Sequence, residues 1–351
     1  MAKVVIVGAG VMGSAFSFPL TDNGHEVHLV GSPLDTSIIE ALQAREPHLG
    51  LGVPLPTAVS LHRYEGLEQV VPNADLIVLG VNSAGVAWAA QQLSETVSAP
   101  TPVVMLTKGL AVVDGAVCIL PDLLLSALPE SLGTTEVLAV VGPCIASELA
   151  VRRQTNVVLA GRNLEIVEST LQILQTAYYH VLPSADLRGA EVCAALKNLY
   201  ALVIGTARGI LECNRMPNGA STHNLSSAMF AQALSEIAYL VEFMGGEQAS
   251  VYGLPGAGDL YVTCQAGRNG RMGRLLGMGF SYRDARIEHM PNITVEGAEL
   301  LLVLGPVLET LMSEQQIDKD RLPLLQTAIS MVCYDVAADI AWERLFKIPG
   351  V

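Results

Sequence analysis

The chain has 351 residues, of which 51% are hydrophobic and 15% are charged, and its formal net charge is −14. This length suggests two domains, and the charged fraction is low beside the roughly 25% of an average soluble chain. Because 34 acidic residues outnumber 20 basic ones, the composition excludes general electrostatic binding to nucleic acid or to an anionic membrane, which would need a basic surface.

The first half of the chain alternates short β-branched runs with helical patterns, which indicates a parallel sheet covered by helices on both faces. The predicted strands are Lys3–Val7, Glu26–Val30, Asp75–Val81, Val103–Thr107, Val137–Val141, Asn156–Ala160 and Tyr178–Leu182. Predicted helices between them include Val11–Asn23, Ala84–Val97 and Leu164–Thr176. The stretch 47–57 is rich in proline and glycine and is predicted to be a loop that crosses the sheet edge.

After about Pro183 the strand-like alternation becomes scarce and long amphipathic segments dominate. These segments predict helices over Arg188–Leu211, Leu225–Met244, Gly297–Glu314 and Leu322–Ala338. We therefore place a domain boundary near residues 183–187. The predicted architecture is α/β, with a nucleotide-binding domain over 1–184 and an all-helical domain over 185–351.

A mean hydropathy of +0.43 raises the question of a membrane span. The uncharged stretch at 76–94 contains glycine, asparagine and glutamine, which favours a strand, a turn and a helix over a spanning helix. The amino terminus has no apolar region followed by a small-residue cleavage site, so we expect no secretory signal. Six widely spaced cysteines without metal-ligand spacing predict reduced thiols in a cytoplasmic protein without a metal site. The surplus of apolar residues predicts a buried sheet, a helical core and a subunit interface.

The motif GAGVMG follows the first predicted strand and opens a helix. In a dinucleotide-binding fold Gly8 permits the tight turn, Gly10 lets the backbone approach the pyrophosphate, and Gly13 lets the helix pack against the strand. The helix N-terminus adds N–H donors for the phosphates. The alternative is a glycine turn that only packs a helix on a sheet, but the strand–turn–helix context favours cofactor binding.

The sequence leaves the choice between NAD and NADP open. An NAD site usually carries a carboxylate at the tip of the second strand, whereas an NADP site offers arginine for the 2′-phosphate. Here small neutral residues at 31–33 are followed by Asp35, with no immediate arginine. Both cofactors are therefore kept.

Lys197 is one of only five lysines and lies among small apolar side chains, with no carboxylate three or four residues before or after it. Burial would lower the pKa of such a lysine toward the range useful for proton transfer, unless an acid from elsewhere supports its charge. Asp259, after a glycine-rich turn, is a candidate for that acid. The alternatives are a lysine that extends from the helix edge to solvent and an aspartate that caps a helix.

Three arginines lie within seven residues: Arg268, Arg271 and Arg274. In an acidic chain this cluster, with glycines between that allow backbone contact with a ligand, indicates capture of an anion such as phosphate. The alternative is a solvated face paired with Asp284 and Glu288.

Lys108 ends a predicted sheet strand, and a helix opens after Gly142, which follows another strand. Ligands of open α/β sheets bind outside the carboxyl ends of the strands, so both positions can reach a ligand. The chain has no GxSxG or HExxH motif, which argues against a serine hydrolase of that type and against a zinc peptidase.

Taken in order, GAGVMGSA, KGL at Lys108, GPCIASELA, LKN at Lys197, GAGDLYVTC with Asp259, GRN at Arg268 and VEG at Glu296 resemble the NAD(P)-dependent sn-glycerol-3-phosphate dehydrogenase family. The resemblance extends from residue 3 to about residue 340. It implies an N-terminal Rossmann-type doubly wound parallel sheet and a helical domain that binds substrate and forms a homodimer. It also implies a soluble enzyme that interconverts dihydroxyacetone phosphate and sn-glycerol 3-phosphate with NAD or NADP, and so supplies phospholipid precursor.

By position, the resemblance implies that Lys197 is the catalytic proton donor and acceptor and that Asp259 is the acid beside it. The implied substrate contacts are Lys108, Gly142, Asn198, Thr263, Arg268 and Asn269. The implied cofactor contacts are Gly8, Gly10, Val11, Met12, Gly13, Lys108, Ala146, Arg268 and Glu296.

The chain departs from the family pattern at Ser226 and Gln232, where the family often has basic residues, and at Cys144, where it usually has a small hydroxyl residue. Gly267 stands where many bacterial members have serine. Two alternatives are kept, of which only the first is motivated by this loss of positive charge. One is a paralogous dehydrogenase of a related phosphorylated or acidic 2-hydroxy compound. The other is a non-catalytic dinucleotide-binding redox sensor.

Overall fold

The computed structural model describes residues 1–214, 221–265, 267–340, 343 and 345. The chain divides into two compact units, one formed by 1–108 with 119–187 and the other by 109–118 with 188–351. The change of unit at 187/188 lies three residues after the predicted boundary. The prediction also differs in placing 109–118 with the first domain, whereas these residues group with the second unit.

The strands of the first unit form an eight-stranded sheet. They are β1 (Lys3–Val7), β2 (Glu26–Val30), β3 (Ser60–His62), β4 (Leu76–Leu79), β5 (Val103–Met105), β8 (Val137–Val141), β9 (Thr155–Ala160) and β10 (Tyr179–Ser184). A separate two-stranded ribbon consists of β6 (Leu110–Val113) and β7 (Ala116–Ile119). Strands β1 and β4 are buried almost throughout, as expected for β-branched runs covered on both faces.

The sheet order is β10-β9-β8-β5-β4-β1-β2-β3, and the run from β3 to β8 is parallel throughout. Strand β9 pairs with β8 in the antiparallel sense and with β10 in the parallel sense. The predicted Rossmann-type parallel sheet is thus confirmed over six strands. The final two strands run the other way, which hydrophobic runs without direction could not reveal.

Helices of the first unit lie between these strands. They are α1 (Val11–Asp22), α2 (Thr36–Gln43), α3 (Leu67–Val70), α4 (Val86–Thr96), α5 (Leu120–Ser126), α6 (Ala146–Ala150) and α7 (Leu164–Leu174). The start of α7 is fixed by Asn163, whose side chain accepts hydrogen bonds from the backbone N–H groups of Glu165 and Ile166. Residues 76–94 form β4, a short turn and most of α4, as predicted.

The second half of the chain is helical over its described residues. Its helices are α8 (Leu187–Asn214), α9 (His223–Phe243), α10 (Gln248–Tyr252), α11 (Asp259–Gln265), α12 (Arg268–Gly277), α13 (Tyr282–Asp284), α14 (Glu296–Ser313) and α15 (Pro323–Cys333). The predicted helical domain is therefore confirmed, although α15 ends five residues before the predicted Ala338. By length and composition α8 is apolar enough to cross a bilayer over 187–213, but its most apolar window is 89% buried inside the protein. That burial is typical of a core helix.

Candidate functional site

The glycine loop between β1 and α1 is shaped by two glycines that no larger residue can replace. Gly8 has a φ of +107°, and a Cβ there would lie 2.8 Å from the backbone carbon of Gly80. A Cβ on Gly13 would lie 2.2 Å from the carbonyl oxygen of Gly8. The packing of the protein itself therefore requires glycine at both positions: Gly8 makes the turn, and Gly13 lets α1 pack closely against the sheet.

Gly10 differs from both, because a Cβ there would meet only the carbonyl oxygen of Gly80 at 3.8 Å. Nothing in the described protein thus requires glycine at this position, and the free space suits a ligand that approaches the backbone. No side chain caps the N-terminus of α1 and no acid lies in its first turn, which contains Val11, Met12 and Gly13. Their N–H groups form the kind of anion site that a pyrophosphate fits.

Lys108, Gly142 and Ala146 lie at the same sheet edge as the glycine loop, since β1, β5 and β8 run parallel and these residues follow the carboxyl ends of β5 and β8. The Lys108 Nζ donates a hydrogen bond to the Gly142 carbonyl oxygen at 3.4 Å. Ala146 begins α6. The structure therefore brings the predicted cofactor positions of the first unit to one edge.

Lys197 and Asp259 form an ion pair inside the second unit, between the Lys197 Nζ and the Asp259 Oδ1. Lys197 is 7% exposed and Asp259 is 2% exposed. Asp259 is the first residue of α11, directly after the π-helical turn 254–258, and its backbone carbonyl accepts a hydrogen bond from the Thr263 hydroxyl at 2.7 Å. The carboxylate therefore faces the lysine, which disfavours the solvent-seeking alternative for Lys197.

A chain of amide contacts begins at the residue next to Lys197. The Asn269 Nδ2 donates to the Asn198 Oδ1 at 2.9 Å, and the backbone N–H of Gly297 donates to the Asn269 Oδ1 at 2.9 Å. A Cβ on Gly297 would lie 2.4 Å from the Asn198 carbonyl oxygen, so α14 approaches α8 closely at this point. Helices α8, α12 and α14 are thus tied together beside the buried ion pair.

The three clustered arginines have three different partners. Arg268 forms an ion pair with Glu296, and the two side chains are 52% and 44% exposed. Arg271 donates to the His289 carbonyl oxygen at 2.9 Å, and Arg274 holds both carboxylate oxygens of Glu212. The arrangement therefore does not form one anion pocket from three guanidinium groups.

The sequence interpretation expected the glycines between these arginines to allow backbone contact with a ligand. A Cβ on Gly270 would meet no heavy atom of the described residues within 4 Å, but Gly273, and Gly277 just after Arg274, differ from that interpretation. A Cβ on Gly273 would lie 1.8 Å from the Leu202 carbonyl oxygen, and one on Gly277 would lie 2.1 Å from the Thr206 carbonyl oxygen. These glycines serve the close packing of α12 on α8. The sequence could not show this, because the matching residues lie about 70 positions earlier.

Sequence reasoning did not anticipate two further polar contacts. Inside the glycine loop, Asp35 accepts a hydrogen bond from the backbone N–H of Ala9, and His48 donates one to the Ala9 carbonyl oxygen. In the second unit, Glu236 is fully buried and accepts hydrogen bonds from the Tyr200 hydroxyl and from the first N–H groups of α15. Burial raises the pKa of Glu236 to about 7. Among the described residues no group of three histidine, cysteine or acidic side chains is arranged to hold a metal ion.

Comparison with known proteins agrees with this geometry. The N-terminal and C-terminal models of NAD-dependent glycerol-3-phosphate dehydrogenase match residues 3–167 and 186–342. The chain is 35% identical over 285 residues to the NADP(+)-dependent glycerol-3-phosphate dehydrogenase of Archaeoglobus fulgidus, covering 81% of this chain and 83% of that protein. It is 29% identical over 321 residues to glycerol-3-phosphate dehydrogenase (NAD(P)+) of Bacillus cereus strain AH187, covering 90% and 89%.

A solved structure supports the fold. The crystal structure of glycerol-3-phosphate dehydrogenase from Coxiella burnetii matches with a TM-score of 0.77, at 24% identity and with 96% of each chain covered. At this level of identity the match shows a shared fold.

Proposed function

Because the chain belongs to the NAD-dependent glycerol-3-phosphate dehydrogenase family, we propose that its Lys197–Asp259 pair moves the proton in the interconversion of dihydroxyacetone phosphate and sn-glycerol 3-phosphate. The protein is an oxidoreductase for this interconversion and uses NAD or NADP. The predicted enzyme class and cofactor class are thus confirmed. The residue roles that follow are our proposal.

The single observation that carries the proposal is the buried ion pair. Reduction of the ketone places negative charge on its oxygen, which needs a proton and a nearby positive group. A protonated Lys197 Nζ supplies both, and the reverse reaction returns the proton to it. Asp259, in contact with the same Nζ, holds the ammonium in place and favours its charged form.

The substrate phosphate is proposed to bind near Arg268, Asn269, Asn198 and Thr263. Arg268 is paired with Glu296 at an exposed site, and such pairs contribute only about 0–1 kcal/mol. A phosphate dianion, which arginine binds in a bidentate manner, can therefore replace this partner at little cost. Because the phosphate is remote from the reacting carbon, its binding energy helps to orient the ketone.

The dinucleotide is proposed to bind at the glycine loop, through Gly8, Gly10, Val11, Met12 and Gly13. Further contacts with the dinucleotide are assigned to Lys108, Ala146, Arg268 and Glu296. Lys108 is also assigned to the substrate, as is Gly142. The open space at Gly10 and the uncapped first turn of α1 support this assignment. When bound, the dinucleotide supplies or accepts the hydride.

The test is a pair of matched lysine variants. In Lys197→Met, kcat for reduction of dihydroxyacetone phosphate should fall by about 10²–10⁴-fold, the usual contribution of a general acid. The Kd for the dinucleotide should change little. Lys319→Met, the same substitution at an exposed lysine, is the control and should retain wild-type kcat.

Asp259→Asn keeps the shape of the side chain and removes its charge, so it should lower kcat as well. If Lys197→Met keeps kcat within about threefold of wild type while it lowers the melting temperature, the pair is structural and the proposal is wrong. If wild-type protein oxidises neither NADH nor NADPH with dihydroxyacetone phosphate, a related 2-hydroxy compound becomes the substrate to test.

The assembly and location are proposed as a homodimer formed through the second unit, in the cytoplasm, where the enzyme supplies phospholipid precursor. Helix α14 supports the dimer because it exposes two adjacent apolar side chains, Leu302 at 43% and Val303 at 51%. Light scattering at micromolar concentration should give the mass of a dimer. A monomer mass for wild type would refute this assembly.

A further inference from the structure

The backbone of Ala9, in the middle of the glycine loop, is hydrogen-bonded at both its N–H and its carbonyl oxygen by residues distant in sequence. Its N–H donates to the Asp35 Oδ2 at 3.0 Å. Its carbonyl oxygen accepts from the His48 Nε2 at 3.2 Å and from the Ser14 hydroxyl at 3.0 Å. Ala9 itself is fully buried. Both backbone polar groups of Ala9, which belong to the two peptide bonds on either side of it, are therefore satisfied by the protein, and the loop is fixed in one orientation.

Asp35 directs its carboxylate at the loop. The same Oδ2 that accepts from Ala9 also accepts from the backbone N–H of Ser32 and from the Ser32 hydroxyl, both at 2.8 Å. Three donors on one oxygen engage much of the negative charge locally, and bonds to a charged acceptor are the stronger kind. Asp35 follows β2, where a carboxylate is expected to bind ribose, but here it binds the glycine loop.

His48 has its hydrogen-bonding roles set by its own loop. The backbone N–H of Gly50 donates to the Nδ1 at 3.1 Å, so in the neutral ring the Nε2 carries the hydrogen and donates to Ala9. His48 as a whole is 4% exposed, and its backbone is hydrogen-bonded to Val53, Leu51 and Gly52. The residue is therefore rigid.

The segment that carries His48 also lies against the start of α1. A Cβ on Gly50 would lie 2.5 Å from a side-chain methyl group of Val11. Leu51 belongs to the hydrophobic core of the first unit. Within the proline- and glycine-rich stretch 47–57, the part around His48, Gly50 and Leu51 thus supports the first turn of α1.

From these contacts we propose that Asp35 and His48 are positioning residues. Together they hold the backbone of Ala9, an arrangement called the clamp below, and so keep the glycine loop in the conformation that binds the pyrophosphate of NAD and NADP alike. The inference rests on the proposed binding of the dinucleotide at this loop. A loop ordered before binding avoids the entropic cost of ordering it on binding, which raises affinity. Because the pyrophosphate is common to both cofactors, loss of the clamp should weaken both equally.

The experiment measures the Kd of NADH and of NADPH by isothermal titration calorimetry. Asp35→Ala and His48→Ala should each raise both values by about tenfold, the loss expected for one hydrogen bond that orders the site. The ratio of the two Kd values should stay as in wild type, and kcat at saturating cofactor should stay within about twofold. Asp35→Asn, which keeps an acceptor oxygen, should recover much of the affinity.

The double variant gives a sharper test, because both residues act on the backbone of one residue, Ala9. Its loss of affinity should be smaller than the product of the two single losses. Glu40→Ala is the control, since Glu40 is an exposed carboxylate of α2 that pairs with Arg63 and contacts no part of the loop. Its Kd values should equal those of wild type.

Two results would overturn the clamp. If Asp35→Ala weakens NADH but tightens NADPH, then Asp35 discriminates at the ribose instead of acting on the loop. If both single variants fold, by circular dichroism, and bind both cofactors as wild type does, the contacts to Ala9 do not matter for binding. A wild-type protein that binds neither dinucleotide would instead refute the proposed function, and the clamp with it.

Discussion

Two glycines of α12 predict opposite effects for the same substitution. A Cβ on Gly273 would lie 1.8 Å from the carbonyl oxygen and 2.8 Å from the carbonyl carbon of Leu202 in α8. Among the residues that the structure describes, no heavy atom would lie within 4 Å of a Cβ on Gly270. Both glycines lie inside α12 without a positive φ, so alanine suits their backbone at either site.

The magnitudes follow from these distances. Alanine is favoured over glycine inside a helix by about 0.5–1 kcal/mol, so Gly270→Ala should stabilise the protein by about that amount. In Gly273→Ala the new methyl group falls about 1 Å short of the 3.0 Å that real Cβ contacts reach. Because its neighbour is backbone, no rotamer change relieves the clash, and α8 and α12 must separate. Overpacking of this kind costs about 1–3 kcal/mol.

The assay is urea unfolding followed by circular dichroism, with both variants and wild type measured side by side. The unfolding midpoint should rise for Gly270→Ala and fall for Gly273→Ala. The melting temperature should follow, at about 2–4 °C per kcal/mol for a domain of this size. Equal signs for the two variants, or a more stable Gly273→Ala, would refute the close packing of the two helices.

The same separation has a functional consequence. Helix α8 carries Asn198 and α12 carries Asn269, and their side chains are joined by a 2.9 Å hydrogen bond. A shift of about 1 Å between the helices should break this bond and lower kcat/KM in Gly273→Ala. Gly270→Ala, which needs no shift, should change kcat/KM less than Gly273→Ala does.

Three further predictions concern charged groups. Burial raises the pKa of Glu236 from its usual 4.5 to about 7, so the native state holds this proton more tightly than the unfolded state. The stability linked to it should be fully present below pH 4.5 and lost as the pH rises through about 7, by an amount on the order of 3 kcal/mol. Urea midpoints across this range should fall more steeply for wild type than for Glu236→Gln. Arg268→Ala should raise KM for dihydroxyacetone phosphate by about tenfold or more in a steady-state assay, as expected for loss of a bidentate phosphate contact. Arg274→Ala is the control, because it loses only the exposed ion pair with Glu212, and it should leave KM unchanged. Arg152→Ala should destabilise the first unit by about 1 kcal/mol in thermal unfolding, because the Arg152 guanidinium binds both carboxylate oxygens of Asp22. An unchanged melting temperature would show that this ion pair contributes nothing to stability.

The sheet of the first unit could be predicted well because its strands are buried on both faces. Strands β1, β2 and β8 begin and end where the sequence predicts them. Continuous apolar runs mark β1 and β8 as buried strands, whereas β2, with the sequence EVHLV, alternates between apolar and polar residues. The short edge strand β3, with the sequence SLH, was missed because three mixed residues carry no periodic signal. The ribbon β6–β7 was missed for a similar reason, as its strands have only four residues each.

The site was predicted to different depths in its different parts. The pairing of Lys197 with Asp259 was anticipated because a lysine in an apolar stretch requires an acid. Gly273 was misinterpreted, because glycine suits a ligand contact and a helix contact equally well. Asp35 was noticed only as a residue near the ribose. Its contact with Ala9 depends on how the backbone turns after β2, which no pattern of residue types specifies.

One departure from the family pattern acquires a physical meaning in the structure. Gln232 stands where the family often has arginine, and this loss of charge suggested a different substrate. The Gln232 Nε2 instead donates to the Glu236 Oε1 at 3.0 Å, within the buried group that caps α15. A neutral donor at this position leaves the burial of Glu236 uncompensated by a full positive charge, which agrees with the raised pKa of Glu236. The departure at Gln232 therefore bears on the core of the second unit and on its pH-dependent stability.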